Sequence, residues 1–182
     1  MPRWLNIPNS FTLLRLVLVP FIIQAVIVGR HFTALAIFAL AAFTDLLDGA
    51  AARHFKSATQ AGAYLDPIAD KCLMSGVFLA LASASIVPWW FVAIIFGRDL
   101  YILLAVAVIM LFTPLRRFPP SIWGKLSTFV QIVTAVAWMA RNAFPVRVLD
   151  LFAGAILWPC VGFTVWSGIH YTWRGIQLAR AH

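Results

Sequence analysis

Six apolar runs, at roughly 11–29, 33–53, 64–86, 88–112, 121–141 and 148–172, constrain this chain more than any other feature. Each is about as long as the ~20 residues an α-helix needs to cross the hydrocarbon of a bilayer. With no water there, every backbone N–H and C=O must be paired internally, so only helices and closed barrels can span. The strict dyad alternation of a membrane barrel is absent from these runs. The expectation is an all-α, polytopic membrane helix bundle of about six transmembrane helices, built as a single domain over 1–182.

Composition closes off the water-soluble alternative. Of the 182 residues, 63% are hydrophobic and only 11% charged, with a mean hydropathy of +0.91. Soluble domains carry about 25% charged residues, and a fold of this size could not hide so much apolar surface. Before the first run, Met1–Pro8 carries only Arg3 as a basic residue. No small-residue cleavage site follows that run, so the start does not read as a cleaved leader. Pro2–Asn9, with Trp4 and two prolines, reads as a short interfacial segment leading into the first span.

The net charge is +8, and the chain contains no Glu. In a soluble protein such a balance would point to nucleic acid. Here the basic residues sit at span ends, where they serve topology and anionic headgroups, so no nucleic-acid partner is expected. If spans alternate, Arg3, Arg53, Lys56, Arg116, Arg117, Lys125, Arg174 and Arg180 fall on one side, and Arg30, Arg141 and Arg147 on the other. The positive-inside bias then places both termini in the cytoplasm. Cys72 and Cys160 lie inside predicted spans and form neither a disulfide framework nor a metal-spacing motif.

The chain has six carboxylates, and four of them, Asp45, Asp48, Asp66 and Asp70, fall within 26 positions where the second span ends and the third begins. An ionisable group inside a span costs roughly 2.5–3.5 kcal/mol on insertion scales, which makes each a candidate functional residue. Asp45 and Asp48 are three apart, Asp66 and Asp70 four apart, so each pair shares a helical face with Cβ atoms about 5–6 Å apart. Converging in low dielectric, four carboxylates repel. Arg53 and Lys71 could offset part of that charge, and a hard divalent cation, or two about 3.5–4 Å apart, would offset it better. The bland alternative is four separately satisfied aspartates, of which Asp66 before Pro67 looks like a helix start. Gly49, Ala50, Ala51 and Ala52 directly after Asp48 leave open backbone for a bulky ligand or for close helix packing.

The stretch Asp45-Leu-Leu-Asp48-Gly49-Ala-Ala-Ala52-Arg53, then Gly62, Asp66 and Asp70 at their spacings, resembles the signature of the CDP-alcohol phosphatidyltransferases. All eight defining positions are present. Asn6-Ile7-Pro8-Asn9 followed by Leu13-Leu14-Arg15 is similar to the start of the members that make phosphatidylglycerophosphate or cardiolipin, so the resemblance covers nearly the whole chain. It implies two Mg²⁺ or Mn²⁺ ions held by Asp45, Asp48, Asp66 and Asp70, with Asp70 also the general base on the acceptor hydroxyl. It places Gly49, Ala52, Arg53 and Gly62 against the CDP-diacylglycerol donor. It further implies a homodimer and a multi-pass enzyme of a bacterial inner membrane with its active site facing the cytoplasm.

The acceptor is read from charge. Arg98 beside Asp99 in the fourth span, Arg116, Arg117 and Lys125 near its cytoplasmic end, and Arg15 entering the first span close to the same surface would make a cationic pocket that suits a phosphate-bearing alcohol and disfavours choline or ethanolamine. The alternatives are topology signalling for Arg116 and Arg117, and a simple pair with Asp99 for Arg98. Glycerol-3-phosphate is the favoured acceptor, with phosphatidylglycerol and inositol phosphate behind it. A different class, a transporter or ion-binding bundle, would also use intramembrane aspartates. It leaves the Gly49–Arg53 run unexplained, and the paired, interrupted spans of transporters are not seen.

Overall fold

The computed structural model describes the backbone of residues 7–55, 60–112 and 121–180, and the side chains within them except 7–11, 45–67, 109–110, 112, 176 and 178–180. Six helices follow one another: α1 (Ile7–Ile27), α2 (His31–Phe55), α3 (Gln60–Ser83), α4 (Trp89–Phe112), α5 (Ile122–Ala143) and α6 (Arg147–Arg180). Among the described residues there is no strand. Each apolar run therefore became one helix, with ends shifted by a few residues. Of the expected interfacial segment Pro2–Asn9, the residues Ile7–Asn9 form the start of α1. Pro8 sits in its first turn, where a missing N–H leaves no bond unmade. The remainder of that segment, residues 1–6, lies outside the described residues.

By length and apolarity, Trp89–Val108, Ile122–Ala143 and Arg147–Gly175 can each cross a bilayer, while the apolar parts described in α1 and α2, Thr12–Ile27 and His31–Thr44, are shorter. At 1.5 Å per residue, the 34 residues of α6 reach about 51 Å. That exceeds a hydrocarbon core of ~30 Å, so α6 continues into the headgroup region.

The helices form two compact units. In the first, made by α1, α2 and α3 with Trp138–Val146, α1 packs against both α2 and α3. Its buried stripe is Thr12, Arg15, Ile22 and Val26; that of α2 is Ala34, Phe38, Ala41 and Thr44; that of α3 is Ala69, Leu73, Val77 and Ala80. These are helical spacings with small residues throughout, as expected where packing rather than water expulsion holds helices together. At Gly76 a Cβ would lie 3.0 Å from Ile23 Cδ1 and 3.1 Å from Val19 Cγ1, so glycine sets how closely α1 approaches α3. The outward faces carry Val17, Phe21, Phe32, Leu40 and Phe43, a surface suited to lipid rather than water.

The second unit comprises α4, α5 up to Ala137, and α6, with α4 packed on α6. Its interior is polar in places. Gln131 on α5 donates to Thr164 Oγ1 on α6 (3.3 Å) and to Ser127 Oγ (3.4 Å), and all three residues are buried. Such interhelical bonds are worth ~0.6 kcal/mol on average in a membrane bundle. Ser121 caps α5 by accepting from the Gly124 N–H, while its own N–H donates to Tyr171 Oη on α6. Cys160 is buried here, whereas Cys72 on α3 is exposed; both are free thiols.

Two helix ends use the same device. After α1, Arg30 N–H bonds Ala25 C=O (2.8 Å) and Gly29 N–H bonds Val26 C=O (3.1 Å), with Gly29 at φ +78°. After α3, Ile86 N–H bonds Leu81 C=O (2.8 Å) and Ser85 N–H bonds Ala82 C=O (2.9 Å), with Ser85 at φ +56°. Both are Schellman closures, which place one residue in the left-handed region. Only at Gly29 does the residue type remove the steric cost.

Candidate active site on the carboxylate-bearing helices

The buried stripe of α2 leads directly onto the motif. Counting in turns of 3.6 residues, Asp45, Asp48 and Ala52 continue the register of Ala34, Phe38 and Ala41. On α3, Gly62 and Asp66 continue the register of Ala69, Leu73 and Ala80, and Asp70 flanks it. α2 runs to Phe55 and α3 starts at Gln60, so both carboxylate pairs occupy helical backbone on either side of one short connection. The side chains of Asp45, Asp48, Gly49, Ala52, Arg53, Gly62 and Asp66 lie outside the described residues, as do Arg116 and Arg117 altogether.

Asp70 is described, and it has a partner that sequence reasoning did not assign. Arg15 on α1 donates from Nη1 to Asp70 Oδ1. The Arg15 side chain has no exposed surface, while that of Asp70 is 49% exposed. An uncompensated guanidinium inside a bundle would cost several kcal/mol, so a carboxylate opposite it is a physical requirement. The signal was present in part. Thr12, Arg15, Ile22 and Val26 share one helical face, which marks Arg15 as inward-facing, but nothing local identifies a partner 55 positions away.

In the second unit, Arg98 donates from Nη1 to Asp99 Oδ1 and from Nε to Ser167 Oγ on α6, both at 2.8 Å. The pairing with Asp99 is the alternative the sequence left open. Lys125, in the first turn of α5, is exposed. Arg174 was read only as a topology signal. It lines a cavity of about 470 Å³ with His170, Trp123, Trp173, Ile122 and Gln177, a size typical of small-ligand sites. His170 has ring contacts with both Trp123 and Trp173, and the Arg174 cation in the same lining suits an anionic headgroup or phosphate.

Four carboxylates, with no thiol or imidazole among them, supply only hard oxygens, the chemistry Mg²⁺ and Mn²⁺ take. Asp70, half exposed on the flank of its stripe, is accessible as such a ligand.

This is a membrane-embedded helical bundle whose first unit concentrates carboxylates on two helices. The family model for CDP-alcohol phosphatidyltransferases matches residues 5–166. A probable phosphatidylglycerophosphate synthase of Mycobacterium tuberculosis is 37% identical across 96% of this chain and 84% of its own length. The CDP-diacylglycerol–glycerol-3-phosphate 3-phosphatidyltransferase of Bacillus subtilis is 30% identical across 94% of this chain and 97% of its own. The CMP-forming cardiolipin synthase of Rattus norvegicus is 31% identical across 96% of this chain and 64% of its own. The chain belongs to the CDP-alcohol phosphatidyltransferase family. It is an integral membrane transferase of phospholipid synthesis that acts on a CDP-alcohol donor and an alcohol acceptor.

Proposed function

We propose that this enzyme transfers the phosphatidyl group of CDP-diacylglycerol to glycerol-3-phosphate, releasing CMP and forming phosphatidylglycerophosphate. The observation that carries the chemistry is Asp70, a half-exposed carboxylate held by a buried arginine on the flank of the carboxylate-bearing face. The acceptor is supported by the 37% identity to the probable phosphatidylglycerophosphate synthase. The acceptor oxygen attacks the phosphorus that bears the diacylglycerol, its proton passes to Asp70, and the bond from that phosphorus to the CMP oxygen breaks. An alcohol attacks poorly until its proton is taken, and a carboxylate must come within about 2.6–3.2 Å of it. Attack is direct, without a covalent enzyme intermediate; isolation of a labelled phosphatidyl-enzyme would refute this.

Asp45, Asp48, Asp66 and Asp70 would hold two ions, Mg²⁺ or Mn²⁺. When bound, the ions supply positive charge to the pyrophosphate oxygens and the departing CMP. Arg53 hydrogen-bonds the donor's phosphate with its planar fork, and Gly49, Ala52 and Gly62 leave room for the CDP moiety. Of the cations expected at the acceptor, Arg98 spends two donors on Asp99 and Ser167. The phosphate therefore falls to Arg116, Arg117 and Lys125, with the Arg174 cavity as a further cationic hollow. The chain works as one domain over 1–182, as a homodimer, with this face toward the cytoplasm.

The test is a transfer assay in detergent with CDP-diacylglycerol and Mg²⁺, offering labelled glycerol-3-phosphate and labelled phosphatidylglycerol in parallel, with Asp70→Asn as control. Label in phosphatidylglycerophosphate, lost in the variant, is expected. Label in cardiolipin would favour the second reading, which the 31% identity to the rat cardiolipin synthase supports. Metal flux into vesicles without transfer to either acceptor would favour a transporter.

A further inference from the structure

We infer that Arg15 is a positioning residue for the transfer reaction, holding the Asp70 carboxylate in the orientation from which it takes the acceptor's proton. The inference rests on the reading of Asp70 as the general base and deepens it.

An aspartate that is 49% exposed has two side-chain torsions to explore, and its carboxylate rotamer is broad. Arg15 removes that freedom. Its side chain is fully buried on the inward stripe of α1 between Thr12 and Ile22, so the guanidinium cannot follow a wandering carboxylate outward. Nη1 meets Asp70 Oδ1, and a guanidinium is a rigid planar fork, so it fixes direction as well as distance. The backbones are fixed by the same contact. Val19 and Ile23, one and two turns beyond Arg15, lie against Gly76 on α3, which locks the depth of α1 along the helix that carries Asp70. A catalytic group misplaced by about 1 Å can lose about 100-fold in rate. Topology does not require an arginine here, because a charge that only marks orientation sits at a span end in water. Arg15 instead sits where no solvent reaches it.

The experiment compares Arg15→Met, Arg15→Lys, Asp70→Asn and the Arg15→Met/Asp70→Asn double variant in detergent, with kcat and KM for CDP-diacylglycerol and glycerol-3-phosphate, and the Mg²⁺ concentration for half-maximal rate. Arg15→Met should lower kcat by about 100-fold with both KM values kept within about threefold and a Mg²⁺ requirement no higher than that of Asp70→Asn. Arg15→Lys, which keeps the charge and loses the fork, should recover part of the loss, and it carries the same test if the methionine variant fails to fold. In the double variant the arginine substitution should add no further loss, since it acts through a carboxylate already replaced. A raised KM with unchanged kcat would mean that Arg15 binds substrate directly and would overturn the inference, as would a Mg²⁺ requirement raised beyond that of Asp70→Asn. Losses that multiply in the double variant would overturn it too. If Asp70→Asn alone stays active, the general-base reading fails. If Asp70→Asn is dead and Arg15→Met is not, only this inference fails.

Discussion

Arg15 and Asp70 join α1 to α3 across 55 positions with unequal burial, the guanidinium fully enclosed and the carboxylate side chain half exposed. The inequality makes the two partners respond differently to substitution. Replacing Asp70 by leucine leaves a buried guanidinium without this carboxylate, whereas asparagine keeps a carbonyl acceptor. Asp70→Leu should therefore destabilise by about 1–3 kcal/mol and Asp70→Asn by clearly less, although both should lower transfer by about 10²–10⁴-fold. Thermal unfolding in detergent, run beside the activity assay, checks this; equal melting temperatures for the two variants would contradict it.

Gly76 offers a way to disturb the pair without touching it. A Cβ there already meets Ile23 and Val19 at 3.0 and 3.1 Å, and the ends of those side chains can yield to alanine. Valine adds two further carbons and must push α1 away from α3. Gly76→Ala should stay near wild-type rate, while Gly76→Val should lose kcat by tenfold or more, roughly the effect of a sub-ångström displacement. Steady-state kinetics on both variants decides it.

The two Schellman closures differ in one residue, and stability should follow. Ser85 holds φ +56° with a side chain and Gly29 holds φ +78° without one. A left-handed residue other than glycine costs on the order of 1 kcal/mol. Ser85→Gly should therefore raise the melting temperature and Gly29→Ala lower it, with activity unchanged in both.

The carboxylates should be separable by metal. Chelation with EDTA should abolish transfer, and Mg²⁺ or Mn²⁺ should restore it. Asp45→Asn, Asp48→Asn and Asp66→Asn should each raise the metal concentration needed for half-maximal rate, because each removes a hard anionic oxygen. Asp70→Asn should lose about 10²–10⁴-fold even at saturating metal. Titration of metal against initial rate reads both outcomes.

Much of this was legible in the sequence because bilayer physics is so restrictive. Six runs of spanning length became six helices, and Asp45 to Asp70 fell on α2 and α3 at the expected helical spacings. The gaps lay where a local pattern lacks information. Of the segment Pro2–Asn9 only the part from Ile7 is described, and it already belongs to α1. Arg98 was read toward the acceptor, and its bond to Ser167 joins residues that no periodicity connects, while Arg15, read toward the same acceptor, meets Asp70. Arg15 sits on a visible inward stripe, but its partner depends on which helices pack together. Helical patterns show which face turns inward and say nothing of what it meets.

The burial of Arg15 also bears on how the chain is made. The first helix reaches the translocon carrying a guanidinium on its apolar side, and its partner on α3 is not yet synthesised. An ionised group on a spanning helix carries an insertion cost, and the bond to Asp70 offsets it, so α1 should reach its full stability only once α3 is in place. The residue argued to orient the catalytic base thus also ties biogenesis of the first half into one cooperative step.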